Sequence, residues 1–165
     1  MKTWAVVIGS LLFVACGYST RIGGLYQADR PITMDSSSTP VFLELVAAQY
    51  GPEVGGLVHL YSDRFMTFLS DPDCKCAYIE NATVRDGKFT FLFHLPGKCL
   101  QTGLKGDISI TGSGFNADSD PMQGKISISC SEQSQDCPVQ DKTFIINLTK
   151  TTEFKELKIE DKQCP

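Results

Sequence analysis

At 165 residues, with 42% hydrophobic and 21% charged side chains, the chain suits a single domain that can bury its own core without a metal. Its 19 acidic residues outnumber 15 basic ones, and the resulting net charge of −4 argues against a nucleic-acid partner. Seven cysteines stand out in this composition and point to an oxidising compartment.

One charge, Lys2, precedes an apolar run from Trp4 to Ala15 that ends at Cys16. The run has the roughly 7–15 residue length of a signal-peptide core and falls short of the roughly 20 residues that cross hydrocarbon. Residues 1–15 are therefore expected to be a signal peptide. The block Phe13-Val14-Ala15-Cys16-Gly17 resembles the lipobox of bacterial lipoproteins. That resemblance implies that Cys16 carries acyl chains, becomes the new N-terminus and anchors the protein in a membrane of the cell envelope. Because Gly17 stands where some lipoprotein systems place a retention-signalling Asp, the outer membrane is favoured. The alternative is ordinary secretion with a cut after Gly17, since Ala15-Cys16-Gly17 also fits the small-x-small rule. In a eukaryotic source, Asn81-Ala82-Thr83 and Asn147-Leu148-Thr149 would then be glycosylation sequons whose asparagines face water.

Residues 16–40 read as a flexible tether with a candidate first strand at Gly23–Tyr26, and residues 41–165 as the β domain. Strand patterns recur at Val41–Ala47, Glu53–Tyr61, Arg64–Leu69, Ala77–Val84 and Lys88–His94, then at Leu104–Thr111, Gln123–Cys130 and Thr143–Lys150. Gly55-Gly56 marks a bulge or a close approach within its strand. Ser62-Asp63 predicts a hairpin, and Asp86-Gly87 between two alternating runs is the strongest hairpin signal in the chain. The tail from Thr151 reads as a short helix or a last strand, anchored by Phe154, Leu157 and Ile159 and tied back through Cys164.

Eight or nine short strands joined by short turns predict an all-β fold, a single antiparallel meander closed as a barrel, with a β-sandwich as the alternative. Gly24-Leu25-Tyr26 resembles the Gly-x-aromatic opening of lipocalin-type barrels, and this favours the barrel.

Besides Cys16, six cysteines remain: Cys74, Cys76, Cys99, Cys130, Cys137 and Cys164. Three disulfides are the economical reading. Cys130 and Cys137 flank a polar segment long enough to turn, so they are expected to pair. Cys74 and Cys76 can each reach a different partner, and their one-residue spacing is not that of structural zinc sites, which leave two to four residues between ligands. No metal or other cofactor is expected.

Phe89, Phe91 and Phe93 share one strand face. Such a face fills a core, or lines a pocket for an apolar ligand if the barrel is hollow. His59 and His94 are the only histidines, so any Ser-His, Cys-His or His-metal chemistry must use one of them. Neither lies in a catalytic motif, and His59, facing away from Val58 and Leu60, is expected to be solvated or half-buried. The oxygen-rich run Asn116-Ala117-Asp118-Ser119-Asp120 lacks the glycine and glutamate of a calcium loop, because Pro121 and Ser127 stand there, and reads as a turn. The expectation is a non-catalytic domain that binds a partner protein or a small apolar ligand, with an enzyme using His59 or His94 as the competing reading.

Overall fold

The computed structural model describes residues 22–34, 38, 40–130 and 142–165. The expected signal peptide, Cys16 and Cys137 lie outside these residues. Nine strands form one antiparallel sheet: β1 (Gly23–Ala28), β2 (Phe42–Tyr50), β3 (Glu53–Tyr61), β4 (Cys76–Tyr78), β5 (Glu80–Arg85), β6 (Lys88–Pro96), β7 (Asp107–Asn116), β8 (Met122–Cys130) and β9 (Lys142–Thr152). β1 pairs with β2 and β9, and β2 pairs onward with β3, so eight strands close into a barrel of sequential neighbours while β4 is an extra strand on β3. Closure removes the free edges of a meander. β1 is thus a stave of the barrel, with Ile22 and Tyr26 already buried in its core.

The alternation read from the sequence sets the two faces. Ile108 and Ile110 of β7, Ile126 and Ile128 of β8, and Ile146 of β9 are fully buried inside the barrel. At the β5–β6 turn Asp86 and Gly87 have φ of 48° and 71°, the pair of positive values that a two-residue type I′ hairpin needs.

The interior is filled by aromatic rings. Phe89, Phe93 and Phe115 are each 0% exposed, and Phe91 stacks on Phe93 and Phe115 with centroids 6.3 and 5.8 Å apart. Glycines make the room: the Phe91 ring occupies the place of a side chain at Gly112, and the Phe115 ring does the same at Gly124. An eight-stranded barrel is just wide enough for its side chains to fill, and here they do. The close approach expected at Gly55-Gly56 is found at Gly56, where a Cβ would run into the Val46 carbonyl of β2.

Two segments differ from the sequence expectation. Arg64–Leu69 is a loop carrying one isolated bridge, Tyr61 to Phe68. Asp63 Oδ1 accepts from the N–H groups of Phe65 and Thr67 at 2.8 and 3.2 Å, and Met66 takes φ 63°, so the chain curls where a strand would run straight. Ala77–Val84 is split at Ile79 into β4 and β5, and within β5 Asn81 at φ 50° accompanies a register shift against β6. The tail, read as a short helix or a last strand, leaves β9 at Thr152 and forms two short 3₁₀ helices, Phe154–Glu156 and Glu160–Lys162, laid as a strap across the outer face of β1–β3.

Among the described residues one disulfide lies at the edge of the main core and one holds the strap on the outer face. Cys74 joins Cys99 and Cys76 joins Cys164, with Cα atoms 5.3 and 5.5 Å apart, so the neighbouring cysteines do take different partners and Cys164 ties the tail back. Cys74 ends a 3₁₀ turn and only Cys76 lies on a strand. Cys130 is also disulfide-bonded, while its expected pairing with Cys137 lies outside the described residues.

Candidate functional site

The outer faces of β2, β3 and β4 are as informative as the interior. Alternation sends Leu43, Leu45 and Ala47 of β2 inward, which turns Glu44, Val46, Ala48 and Tyr50 outward. On β3 it turns Gly55, Leu57, His59 and Tyr61 outward. Several of these residues are apolar, and the strap buries them: Leu157 packs with Val46 and Leu57, flanked by Leu25, Phe154, Cys76 and Cys164.

Beside that small second core lies a polar cluster that the strap and the Phe68 loop seal from water. Glu44 Oε1 accepts from the Tyr61 hydroxyl at 2.9 Å and lies 3.3 Å from His59 Nδ1, while Oε2 accepts from Gln27 Nε2 at 3.0 Å. His59 Nε2 lies 3.3 Å from the Gln163 carbonyl of the strap, and Phe68 meets the imidazole edge-on at 5.6 Å between centroids. Burial pushes the Glu44 carboxyl up, but hydrogen bonds from His59, Gln27 and Tyr61 outweigh it and hold the group below its ordinary value. Burial, reinforced by the Glu44 charge, pushes the Tyr61 phenol up, so it stays protonated and donates. His59 is therefore not solvated or half-buried as its strand position suggested. It does point away from the barrel interior, but another part of the chain covers that face, leaving it 4% exposed.

Where the strap ends its cover, a groove of about 280 Å³ stays open on the same wall. Its floor is the register pair Ala48 and Gly55, and a Cβ built at Gly55 meets no atom within 4 Å. Tyr50 at the tip of the β2–β3 hairpin and Tyr78 at the end of β4, 69% and 62% exposed, stand at its sides. Phe154 and Lys162 of the strap close the remaining side, with the Lys162 ammonium 4.5 Å from the Phe154 ring centroid. Two further surface cavities among the described residues differ in lining, the first evenly mixed and the second mainly polar. One of about 380 Å³ opens at the barrel end beside Tyr26, Asp118, Asp120 and Lys150, and one of about 570 Å³ lies beside Glu53, Asn81 and Arg85.

The residues singled out in the sequence distribute as follows. Phe89, Phe91 and Phe93 lie in the packed interior, against one another and Phe115. His94 is on the outer wall, where Ser109 Oγ sits 3.1 Å from Nδ1 and Glu80 Oε2 sits 3.9 Å from Nε2. Serine, imidazole and carboxylate follow one another as in a triad, but with the two ring nitrogens exchanged and the carboxylate beyond hydrogen-bond distance. His94 and Glu80 also have side chains 39% and 57% exposed, so water screens the pair instead of the protein desolvating it. In the Asn116–Pro121 turn the oxygens serve the chain itself: Asn116 Oδ1 accepts from Asp118 N, and Asp120 Oδ1 accepts from Lys150 N. Among the described residues no three His, Cys, Asp or Glu side chains are grouped to hold a metal.

Sequence reasoning missed both the groove and the Glu44–His59–Tyr61 cluster. The available signal was the imperfect alternation of Val41–Ala47, since a strand apolar on both faces must be covered on both. Together the fold and the site define a closed antiparallel barrel with a filled interior and an aromatic-sided groove on its outer wall. No family model, curated protein or solved structure matches this chain, so the geometry alone carries the functional reading.

Proposed function

We propose that the chain is an exported, non-catalytic binding domain, tethered to the bacterial cell envelope through Cys16, that takes a small apolar ligand in the Tyr50–Tyr78 groove. One observation carries the binding reading: the barrel interior is occupied by its own phenylalanines while an aromatic-sided slot stands open on the outside. At about 280 Å³ the slot falls just under the roughly 300–1,000 Å³ range of small-molecule sites, a size for a ring and not for a long chain. Tyrosines on strands offer rigid, amphipathic contact area that loses little entropy on binding. Disulfides at Cys74–Cys99 and Cys76–Cys164 accord with export.

Two measurements test this. Titration of the purified protein with indole, followed by amide chemical shifts, is expected to saturate at Tyr50, Gly55 and Tyr78 and to leave Phe91 and Ile110 unmoved. Shifts spreading through the interior strands instead would refute the outer-wall site. Intact mass of the mature chain is expected to carry a lipid adduct on Cys16, and an N-terminus at Tyr18 would replace the anchor with secretion.

A further inference from the structure

We infer that the groove selects a planar ring bearing a negative charge, of which an aromatic carboxylate is the simplest case; this rests on the binding reading above. The groove has two chemically distinct parts. Its floor and two sides, Ala48, Gly55, Leu57, Tyr50 and Tyr78, supply apolar and aromatic surface against which a flat ring loses its water. Its lip supplies a cation. Among the described residues lining the groove, Lys162 carries the one charge, although acidic residues outnumber basic ones 19 to 15 in the chain.

Lys162 is also held in place. Its ammonium lies over the Phe154 ring at 4.5 Å, and it stands in the 3₁₀ turn just before Gln163 and Cys164, the points where the strap meets His59 and Cys76. A ring seated between the tyrosines with a carboxylate directed to the lip meets that ammonium at the water boundary, so neither charge is desolvated. A neutral ring gains nothing there, and a cationic ring meets a like charge. The expected preference is therefore anion over neutral over cation, set by one side chain.

The test compares indole-3-acetate, indole and tryptamine as probes of the purified protein, read by amide shifts of Tyr50, Gly55 and Tyr78. Indole-3-acetate is expected to bind about two- to fivefold more tightly than indole, and tryptamine more weakly by a similar factor, as exposed charge pairs allow. The spread should shrink as salt rises from about 0.05 M toward about 0.5 M. Lys162→Met keeps the stem of a half-buried side chain and should bring the three affinities together. Gly55→Val fills the floor at a position where a Cβ meets nothing, and should abolish binding of all three while the barrel stays folded. Equal affinities in the unmodified protein, or a spread that survives Lys162→Met, would overturn the charge selection and leave the groove standing. Failure of every probe to saturate would overturn the groove and the inference together.

Discussion

A filled barrel and a hollow one respond to added volume with opposite signs, and Gly124 and Gly112 are where the difference is measured. A Cβ at Gly124 would lie 2.7 Å from Phe115 Cδ2 and closer still to two other atoms of that ring; one at Gly112 would lie 2.7 Å from Phe91 Cδ1, with the rest of the ring edge nearer. These rings cannot step aside, because Phe91 and Phe115 pack on each other at 5.8 Å and Phe91 packs on Phe89 at 5.2 Å. Gly124→Ala and Gly112→Ala are each expected to destabilise by about 1–3 kcal/mol, the cost of forcing extra carbon into a packed core. In a domain of this size that lowers Tm by roughly 2–4 °C per kcal/mol. Gly55→Ala is the control: its Cβ meets no atom, and replacing a strand glycine there should be neutral or stabilise by about 0.4–1 kcal/mol. Thermal unfolding followed by far-ultraviolet circular dichroism measures all three on one scale. If Gly124→Ala and Gly112→Ala matched Gly55→Ala in raising Tm, the interior would have room to spare, and the argument that moves the ligand to the outer wall would fail.

Two further outcomes bear on the strap. Cys76 and Cys164 are separated by 88 residues, so their link restrains the unfolded chain by at most roughly 4–5 kcal/mol on the chain-entropy account. In the Cys76→Ser/Cys164→Ser double variant the amides of Leu157 and Gln163 should exchange quickly while those of Phe91 and Ile110 stay protected; unchanged protection at Leu157 would show that the strap holds without its disulfide. For Glu44, a carboxyl held below its ordinary value stabilises the fold above the unfolded value of about 4.5, and that stabilisation is lost as pH falls through the lower folded value. Glu44→Gln should cost about 1–3 kcal/mol at neutral pH, where it removes charge-assisted hydrogen bonds, and should flatten the acid limb of stability against pH. Parallel acid limbs in the two proteins would contradict the assignment.

The parts of the structure legible in the sequence are those set by neighbours along the chain. Alternation in Lys88–His94 and Gln123–Cys130 gave strands and an inward face because period two is a local property of the backbone. Asp86-Gly87 gave its hairpin because positive φ at both turn positions is a local demand. Arg64–Leu69 failed because the same alternating composition was overruled by one carboxylate, Asp63, that captures two backbone N–H groups. His59 failed for the opposite reason. Its strand direction was correct, but its burial depends on Gln163, a residue 104 positions away, and no local pattern carries that distance. The groove belongs to the same category, since Tyr50, Tyr78 and Lys162 meet only after the barrel has closed and the strap has crossed it.

The extra strand explains how such a groove keeps its shape. β4 is three residues long and pairs with Leu57, Val58 and His59 of β3, along the same edge of β3 that β5 joins at Glu53. So short a strand on one neighbour has little hold of its own. Disulfides bracket it: Cys74 pins the turn before it to Cys99, and Cys76 within it pins the strap through Cys164. Cys76 and Tyr78 are two residues apart and therefore share a face. The bond that fixes the strap, and with it Phe154 and Lys162, thus acts through the same short strand that carries Tyr78. Two sides of the groove are set by one covalent link, while Tyr50 and the Gly55 floor are set by the β2–β3 hairpin alone. The division implies that reducing agents should dismantle the Tyr78–Lys162 sides before they affect the hairpin, because only the former depend on sulfur.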